Sequence, residues 1–319
     1  MKRPLVVVTD TVFPDLRITE EILFPLCDLV VLEKHGDVQL LPLLRDAVGV
    51  INCSVQLTPE HLKEMRHCKV LSRTGIGLDT VPVDVAKQQR IQVANVPDYC
   101  LDEVADHTFA LMLALKRGIC RASNATRSGH WNGQTAGRLR RLRGQTLGLL
   151  GFGRIARSVA SRASAFGFNV LAHDPYCGAD VFKAWGATSV SFDELLSSAD
   201  VLSLHVPLTS ANRHMLDAQA ILRMKKGAIL LNTARGGLVD TAAVIDAVKR
   251  EHLGGAGLDV LDQEPPPHDH LSHGLDNLLI TPHLAFYSEE AMQELQRQSA
   301  MAVADVLQGR DPVNWANRW

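Results

Sequence analysis

Short runs of aliphatic and β-branched residues alternate with segments of helical period along this chain, the pattern of parallel strands joined by crossover helices. The fold class is therefore α/β. Strands are predicted at 5–9 (LVVVT), 29–33 (LVVLE), 48–53 (VGVINC), 69–73 (KVLSR) and 91–96 (IQVANV). A second series follows at 146–151 (TLGLLG), 169–174 (NVLAHD), 201–206 (VLSLHV), 228–234 (AILLNTA), 255–260 (GAGLDV) and 278–283 (LLITPH). Between the two series, residues 99–129 keep a helical period with no strand punctuation, long enough to bridge two lobes or to pack on another subunit. A boundary is expected near residue 98, and the residues from Tyr287 onward read as a final helix that packs most simply on the first lobe.

At 319 residues the chain is longer than an average domain and suits two, so it can bury substantial cores without staples. The 33 Lys and Arg nearly balance the 35 Asp and Glu, and a net charge of -2 gives no global field for nucleic acid or an anionic membrane. That favours a small-molecule partner. The cysteines at 27, 53, 68, 100, 120 and 177 form no CxxC pair and read as reduced thiols. The first apolar run ends at Val8, too short for a signal peptide, and no run of about 18 apolar residues occurs later, so a cytoplasmic protein is expected.

Gly151-Phe152-Gly153-Arg154-Ile155-Ala156 follows a predicted strand and opens a helix. Glycines there let the backbone turn tightly and approach a pyrophosphate, the helix start offers unpaired N–H groups, and Ala at the third position suits helix-on-strand packing. Asp174, 21 residues past Gly153 at the end of the next strand, can take ribose hydroxyls. This context points to dinucleotide binding. The Asp174 charge, with no Arg directly after it in His173-Asp174-Pro175-Tyr176, favours NAD over its 2′-phosphorylated form.

In an open α/β sheet, ligands bind outside the carboxyl ends of the strands. Those ends carry Gly151 and Gly153, Asp174, His205-Val206-Pro207, Thr233-Ala234-Arg235, Asp259 and His283. Arg235 precedes two glycines, and its planar donors suit a carboxylate, although a surface Arg at a strand end is the plainer alternative. His283 could move a proton beside a nicotinamide; taken alone it reads equally as a core histidine bonded to backbone. Glu264 could reach His283, raise its pKa and fix its tautomer, or it is a solvated loop carboxylate. Together the three make a coherent hydride-transfer site.

The stretches GFGRIARSVASRASAFGFNVLAHDPY, LSLHVPLT, MKKGAILLNTARGGLVD, GAGLDVLDQEPPP and LLITPHLA, with RTGIGLDTV and NVPDYCLDEVADHT upstream, resemble the NAD-dependent D-isomer-specific 2-hydroxyacid dehydrogenases. The resemblance runs over nearly the whole chain. It implies two doubly wound parallel-sheet lobes, with a Rossmann NAD-binding domain at 99–284 inserted in a flavodoxin-like substrate domain at 1–98 and 285–319. Arg235, Glu264 and His283 match the catalytic residues. Arg235 would bind the carboxylate of a 2-oxo acid and polarise its carbonyl, His283 would donate the proton, and Glu264 would keep His283 protonated.

The resemblance also implies that backbone amides at Ser54-Val55 and Gly75-Ile76 grip the substrate carboxylate. Thr108, Asp174, Thr233, Arg235 and Asp259 match NAD contacts, with Arg154, Ile155, Pro175, Ala234 and His283 beside them, and His205-Val206-Pro207 would lie against the adenosine. Residues 99–129 match a dimer-forming region, so a homodimer is expected. The motifs RLRGQTLGLLGFGR, ASAFGFNVLAHDPY and AFYSEEA are most similar to the branch containing the C-terminal binding proteins, dehydrogenase-fold corepressors. Phe286 and Tyr287 take the place of the aromatic that this branch carries after its catalytic His, and would favour an apolar or thioether-bearing 2-oxo acid, or else pack the helix start.

Other functions stay open at this point. An NADH-responsive protein-binding scaffold with weak dehydrogenase activity would share the fold, but the three catalytic residue types and the lack of a long tail past Trp319 weigh against it. A short-form phosphoglycerate dehydrogenase is a third reading; no C-terminal regulatory domain is expected. Arg138, Arg140, Arg141 and Arg143 suggest nucleic acid, yet in a chain of charge -2 they read as a solvated loop. His268, His270 and His273 follow a Pro run with no second ligand cluster and read as a polar crossover loop, not a metal site.

Overall fold

The predicted alternation produces two parallel sheets in the computed structural model, which describes residues 3–32, 37–267 and 274–319. The first contains β1 (Leu5–Val8), β2 (Asp28–Val31), β3 (Ala47–Asn52), β4 (Val70–Arg73) and β5 (Gln92–Ala94), in the order β2-β1-β3-β4-β5. The second contains β6 (Thr146–Leu150), β7 (Asn169–His173), β8 (Ala187–Ser189), β9 (Val201–Leu204), β10 (Ala228–Asn232), β11 (Leu253–Leu258) and β12 (Leu278–Ile280), in the order β12-β11-β10-β9-β6-β7-β8. Every pairing is parallel. The winding reverses beside β1 and beside β6, and such a reversal opens a crevice at the carboxyl ends of the flanking strands.

The chain divides into two compact units, one of residues 1–99 with 287–319 and one of residues 100–286. In the first unit the helix Glu289–Leu307 lies along β3 and β4, where Val303 and Ala300 meet Val6, Ile51 and Val70 in one buried cluster. Its polar first turn is closed by Ser288, whose hydroxyl accepts from Ala291 N at 2.9 Å.

In the second unit β9 and β10 are buried on both faces, so their sequences VLSL and AILLN carry no period of two. The helix Leu101–Lys116 buries Val104, Ala105, Thr108, Phe109, Leu111 and Met112, a stripe of three- and four-residue spacing that packs on β10 and β11. Each fully buried Leu, Phe or Met on such a stripe is worth about 1.5–3 kcal/mol over its exposed state. The segment 99–129, read as helical without strands, forms two helices: Gly118 adopts φ 59 between them, and the second, Ile119–Arg127, buries no residue. Strand β8 has no counterpart among the sequence predictions, since ATS at an edge is too short for a pattern and exposes two of its three residues. Strand β11 begins two residues before its prediction, in Leu253-Gly254, where glycine carries no strand signal.

Register carries the sheet into the site. Leu150 pairs with Leu204, Asn232 with Leu258, and Leu258 with Ile280, so the residues after these strands emerge side by side. No helix among the described residues is long and apolar enough to cross a membrane. Residues His268, His270 and His273 lie outside the described residues.

Candidate active site

Strand β6 ends at Leu150, and Gly151 turns the chain with φ 88. A Cβ there would lie 2.6 Å from the His205 carbonyl oxygen, so the turn can sit against β9 only as glycine. A Cβ on Gly153 would meet nothing within 4 Å, which leaves open space over the start of the helix Arg154–Phe166. That helix has no side-chain cap and no acidic residue in its first turn. Helices beginning at Phe192, Ala218, Thr241 and Glu289 are instead capped by Ser191, Asp217, Asp240 and Ser288. An uncapped start with open space before it suits a pyrophosphate, which would satisfy the orphan N–H groups and the positive end of the dipole. Ala156 is fully buried, as helix-on-strand packing at the third position requires.

Asp174 follows β7 directly. Its Oδ2 accepts from Phe152 N at 2.8 Å and its Oδ1 from Tyr176 N at 2.9 Å. Each carboxylate oxygen can accept twice, so capacity remains for two hydroxyls. The glycine turn, the uncapped helix and Asp174 together fit a dinucleotide. His205, held to Leu150 O through its amide at 2.7 Å, places the His205-Val206-Pro207 turn against Gly151. Its Nε2 lies 2.9 Å from Ser203 Oγ, and burial pushes the imidazole down to about 4, so it is uncharged at neutral pH.

Three strand ends bring the expected catalytic types together. His283 Nδ1 lies 2.7 Å from Glu264 Oε2, and Glu264 Oε1 accepts from Leu261 N at 2.8 Å. Burial raises the Glu264 carboxyl, but the bonds from His283 and Leu261, with the charges of His283 and Arg235, outweigh it and hold the group below its ordinary value. It is thus ionised at neutral pH. With Nδ1 committed to that carboxylate, the second ring nitrogen, Nε2, has no protein partner among the described residues and is the one left for a ligand. The His283 backbone takes φ 51, fixed by its amide donating to Asp259 O at 2.8 Å. Phe286 stands edge-on to the His283 ring, 6.2 Å between centroids, and so braces it.

Arg235 leaves β10 in extended backbone (φ -145) with its Nη1 donating to Ala234 O at 2.7 Å, while Asn232 ties down the turn through Ala234 N and Arg235 O. Thr108 and Thr233 share a hydroxyl contact of 3.0 Å. Asp259, 1% exposed, accepts from Thr281 Oγ1 at 2.6 Å and from the Leu284 and Ala285 amides at 3.0 Å. His107 Nε2 reaches Thr281 Oγ1 at 3.0 Å and comes within 3.6 Å of Asp259. Sequence reading passed over His107 and Thr281; the one signal was their adjacency to Thr108 and His283.

Ser54, Val55, Gly75 and Ile76 belong to the other unit, which Tyr287, 62% exposed, re-enters. There the expected amides are not all available. Ser54 N donates to Asp10 Oδ2 at 2.7 Å and Cys53 N to Asp10 Oδ1 at 2.9 Å, while Gly75 N donates to Arg73 O at 2.9 Å. The Val55 and Ile76 amides donate to no protein acceptor among the described residues. Asp10, at the end of β1, was not anticipated. Its carboxyl is pushed up by burial but held below its usual range by bonds from Ser54, Cys53 and Thr9. Among the described residues no group of three or more His, Cys, Asp or Glu could hold a metal ion.

Residues 109–285 match the family model described as D-isomer specific 2-hydroxyacid dehydrogenase, NAD binding domain. Glycerate dehydrogenase of Methylorubrum extorquens is 38% identical over 270 residues, covering 82% of this chain and 83% of that protein. D-3-phosphoglycerate dehydrogenase of Methanocaldococcus jannaschii is 37% identical over 298 residues and 90% of this chain, but the chain spans only 56% of that protein's length. The crystal structure of D-lactate dehydrogenase from Aquifex aeolicus complexed with NAD and lactic acid is 30% identical, covers 98% of this chain and 99% of its own, and superposes with a TM-score of 0.89.

Proposed function

Since this chain belongs to the D-isomer-specific 2-hydroxyacid dehydrogenase family, we propose that it interconverts a small 2-oxo acid and its D-2-hydroxy acid with NAD(H), using Arg235, Glu264 and His283. The observation that carries this reading is the 2.7 Å bond between His283 Nδ1 and Glu264 Oε2, with Arg235 close enough for its charge to act on the same carboxylate.

The nicotinamide cofactor, when bound, would supply the hydride chemistry at the carbonyl carbon in either direction. Gly151, Gly153 and the amides that open the helix at Arg154 hold the pyrophosphate, and Asp174 accepts from the ribose. The Arg235 guanidinium pairs with the substrate carboxylate and draws electron density from the carbonyl oxygen. His283 gives its Nε2 proton to that oxygen as it becomes a hydroxyl. Glu264 stays ionised, stabilises the imidazolium and holds the proton on Nδ1, so that Nε2 is the nitrogen that gives and takes the mobile proton. The Val55 and Ile76 amides are the carboxylate donors remaining in their two loops. Asp10, by taking the Cys53 and Ser54 amides, holds the first of these loops in shape.

The related proteins act, by name, on glycerate, 3-phosphoglycerate and lactate. The oxo acid is therefore addressed by NADH oxidation against a panel running from glyoxylate, pyruvate and hydroxypyruvate to 3-phosphohydroxypyruvate, aryl and thioether 2-oxo acids. Turnover on one of these, lowered by His283→Ala by about two to four orders of magnitude, is expected of a general acid. Full turnover by the variant on that substrate would remove His283 from the mechanism. A likeness to the corepressor branch, as a finer reading, has for support the motifs at 141–154, 163–176 and 285–291, the last with Phe286 and Tyr287.

A further inference from the structure

The turn after Arg235 runs between two other loops of its own unit. A Cβ on Gly236 would fall 1.9 Å from the carbonyl carbon and oxygen of Leu261, and one on Gly237 would fall 2.9 Å from Leu208 Cδ2 and 3.0 Å from Arg213 Nη1. Only a side-chain-free turn can be pressed between loops this closely. The two outer loops are joined across it. His214 Nε2 lies 2.9 Å from Asp262 Oδ1, and Arg213 Nη2 donates to the same oxygen at 3.4 Å. His214 is itself fixed to the turn, its amide donating to Gly237 O at 2.7 Å from a left-handed backbone with φ 50 that few non-glycine residues adopt. Leu216 extends the attachment through Leu216 N to Leu238 O and Asp240 N to Leu216 O, both 3.1 Å.

Each end of this arrangement leads to a residue of the reaction. Gly236 follows Arg235 directly. Asp262 lies within the turn closed by Leu261 N and Glu264 Oε1, so fixing Asp262 fixes the carboxylate that meets His283. Resting on the functional reading above, we propose that the Asp262–His214 pair is a clasp closed over the Gly236–Gly237 turn, and that both are positioning residues which set Arg235 and Glu264 in register for the reaction without touching substrate. An ordinary surface ion pair would leave that register unaffected.

The test compares Asp262→Ala, His214→Ala, the double variant and His214→Gln, whose amide can still donate to Asp262. Two readouts are used: kcat and KM with NADH and the best oxo acid of the panel, and the downfield resonance of the His283 Nδ1 proton in cofactor-free protein. A misplacement near 1 Å costs about a hundredfold, so each Ala variant should lose about ten- to a hundredfold in kcat with the KM for NADH unchanged. The resonance should weaken, the double variant should be no worse than either single one, and His214→Gln should recover most of the loss. Wild-type kcat together with an intact resonance in Asp262→Ala overturns the clasp. Should that variant fail to fold, equal activities of His214→Ala and His214→Gln overturn it instead. A wild-type protein that reduces no oxo acid overturns the functional reading alone, because the resonance still reports whether the clasp sets the His283–Glu264 bond.

Discussion

Glu264 is bound through both oxygens, one by a backbone amide of its own turn and one by His283, which leaves the imidazole a single nitrogen for chemistry. Replacing Glu264 by Gln keeps an acceptor and removes the charge that favours imidazolium. The pH profile of kcat/KM should therefore differ from that of the unaltered protein, since a carboxylate held ionised at neutral pH has been replaced by a group that does not titrate. An unmoved profile would take Glu264 out of the mechanism. His205 offers a test of a different kind. Its folded pKa of about 4 lies below the ordinary value for histidine, so the unfolded chain binds the extra proton. Its contribution to stability is complete above about pH 6.5 and erodes as pH falls from there through the folded value. Urea unfolding at stepped pH should show that slope reduced in His205→Asn.

The elements obey local rules wherever those rules concern one face and one neighbour. The helix Leu101–Lys116 follows from its apolar spacing, and its end follows from Gly118, whose φ of 59 lies outside the helical region. The final helix starts where Ser288 can accept from Ala291 N, a pattern visible as Ser before Glu-Glu in the sequence. Ser288→Ala should destabilise the protein by about 0.5–2 kcal/mol in denaturant titration, with little effect on turnover, because a cap acts on one helix end. Strand β8 escaped notice for the opposite reason. Its three residues are ordered by pairing with Val170-Leu171-Ala172 of β7, the strand before it, and not by any pattern of their own.

At the scale of the whole molecule, cofactor binding should couple to folding. At NADH about a hundredfold above its Kd, the cofactor-binding unit gains about 2.7 kcal/mol, read as a rise in its melting temperature. NADPH should give a smaller rise, since the Asp174 carboxylate, if it meets the ribose as proposed, would repel a 2′-phosphate, and Asp174→Ala should narrow the difference. Equal shifts by the two cofactors in the unaltered protein would remove Asp174 from the selection. The class of fold, the cofactor loop and the three residue types at strand ends were legible in the sequence, because parallel strands, glycine turns and strand termini each have a local signature. The amide donors were less so: Ser54 and Gly75 carry the right motif, yet the Gly75 N–H goes to the Arg73 carbonyl of its own turn, and the Ser54 N–H goes to Asp10, which the placing of β1 beside β3 decided. The same holds for His107 against Asp259 and His214 against Asp262, pairs that different elements bring together. Sequence determined which chemistry was present and at which strand ends it would emerge, since those depend on neighbours a few residues away. Tertiary structure alone decided which polar groups of different elements satisfy one another, because such a hydrogen bond depends on distances that strand order and register create.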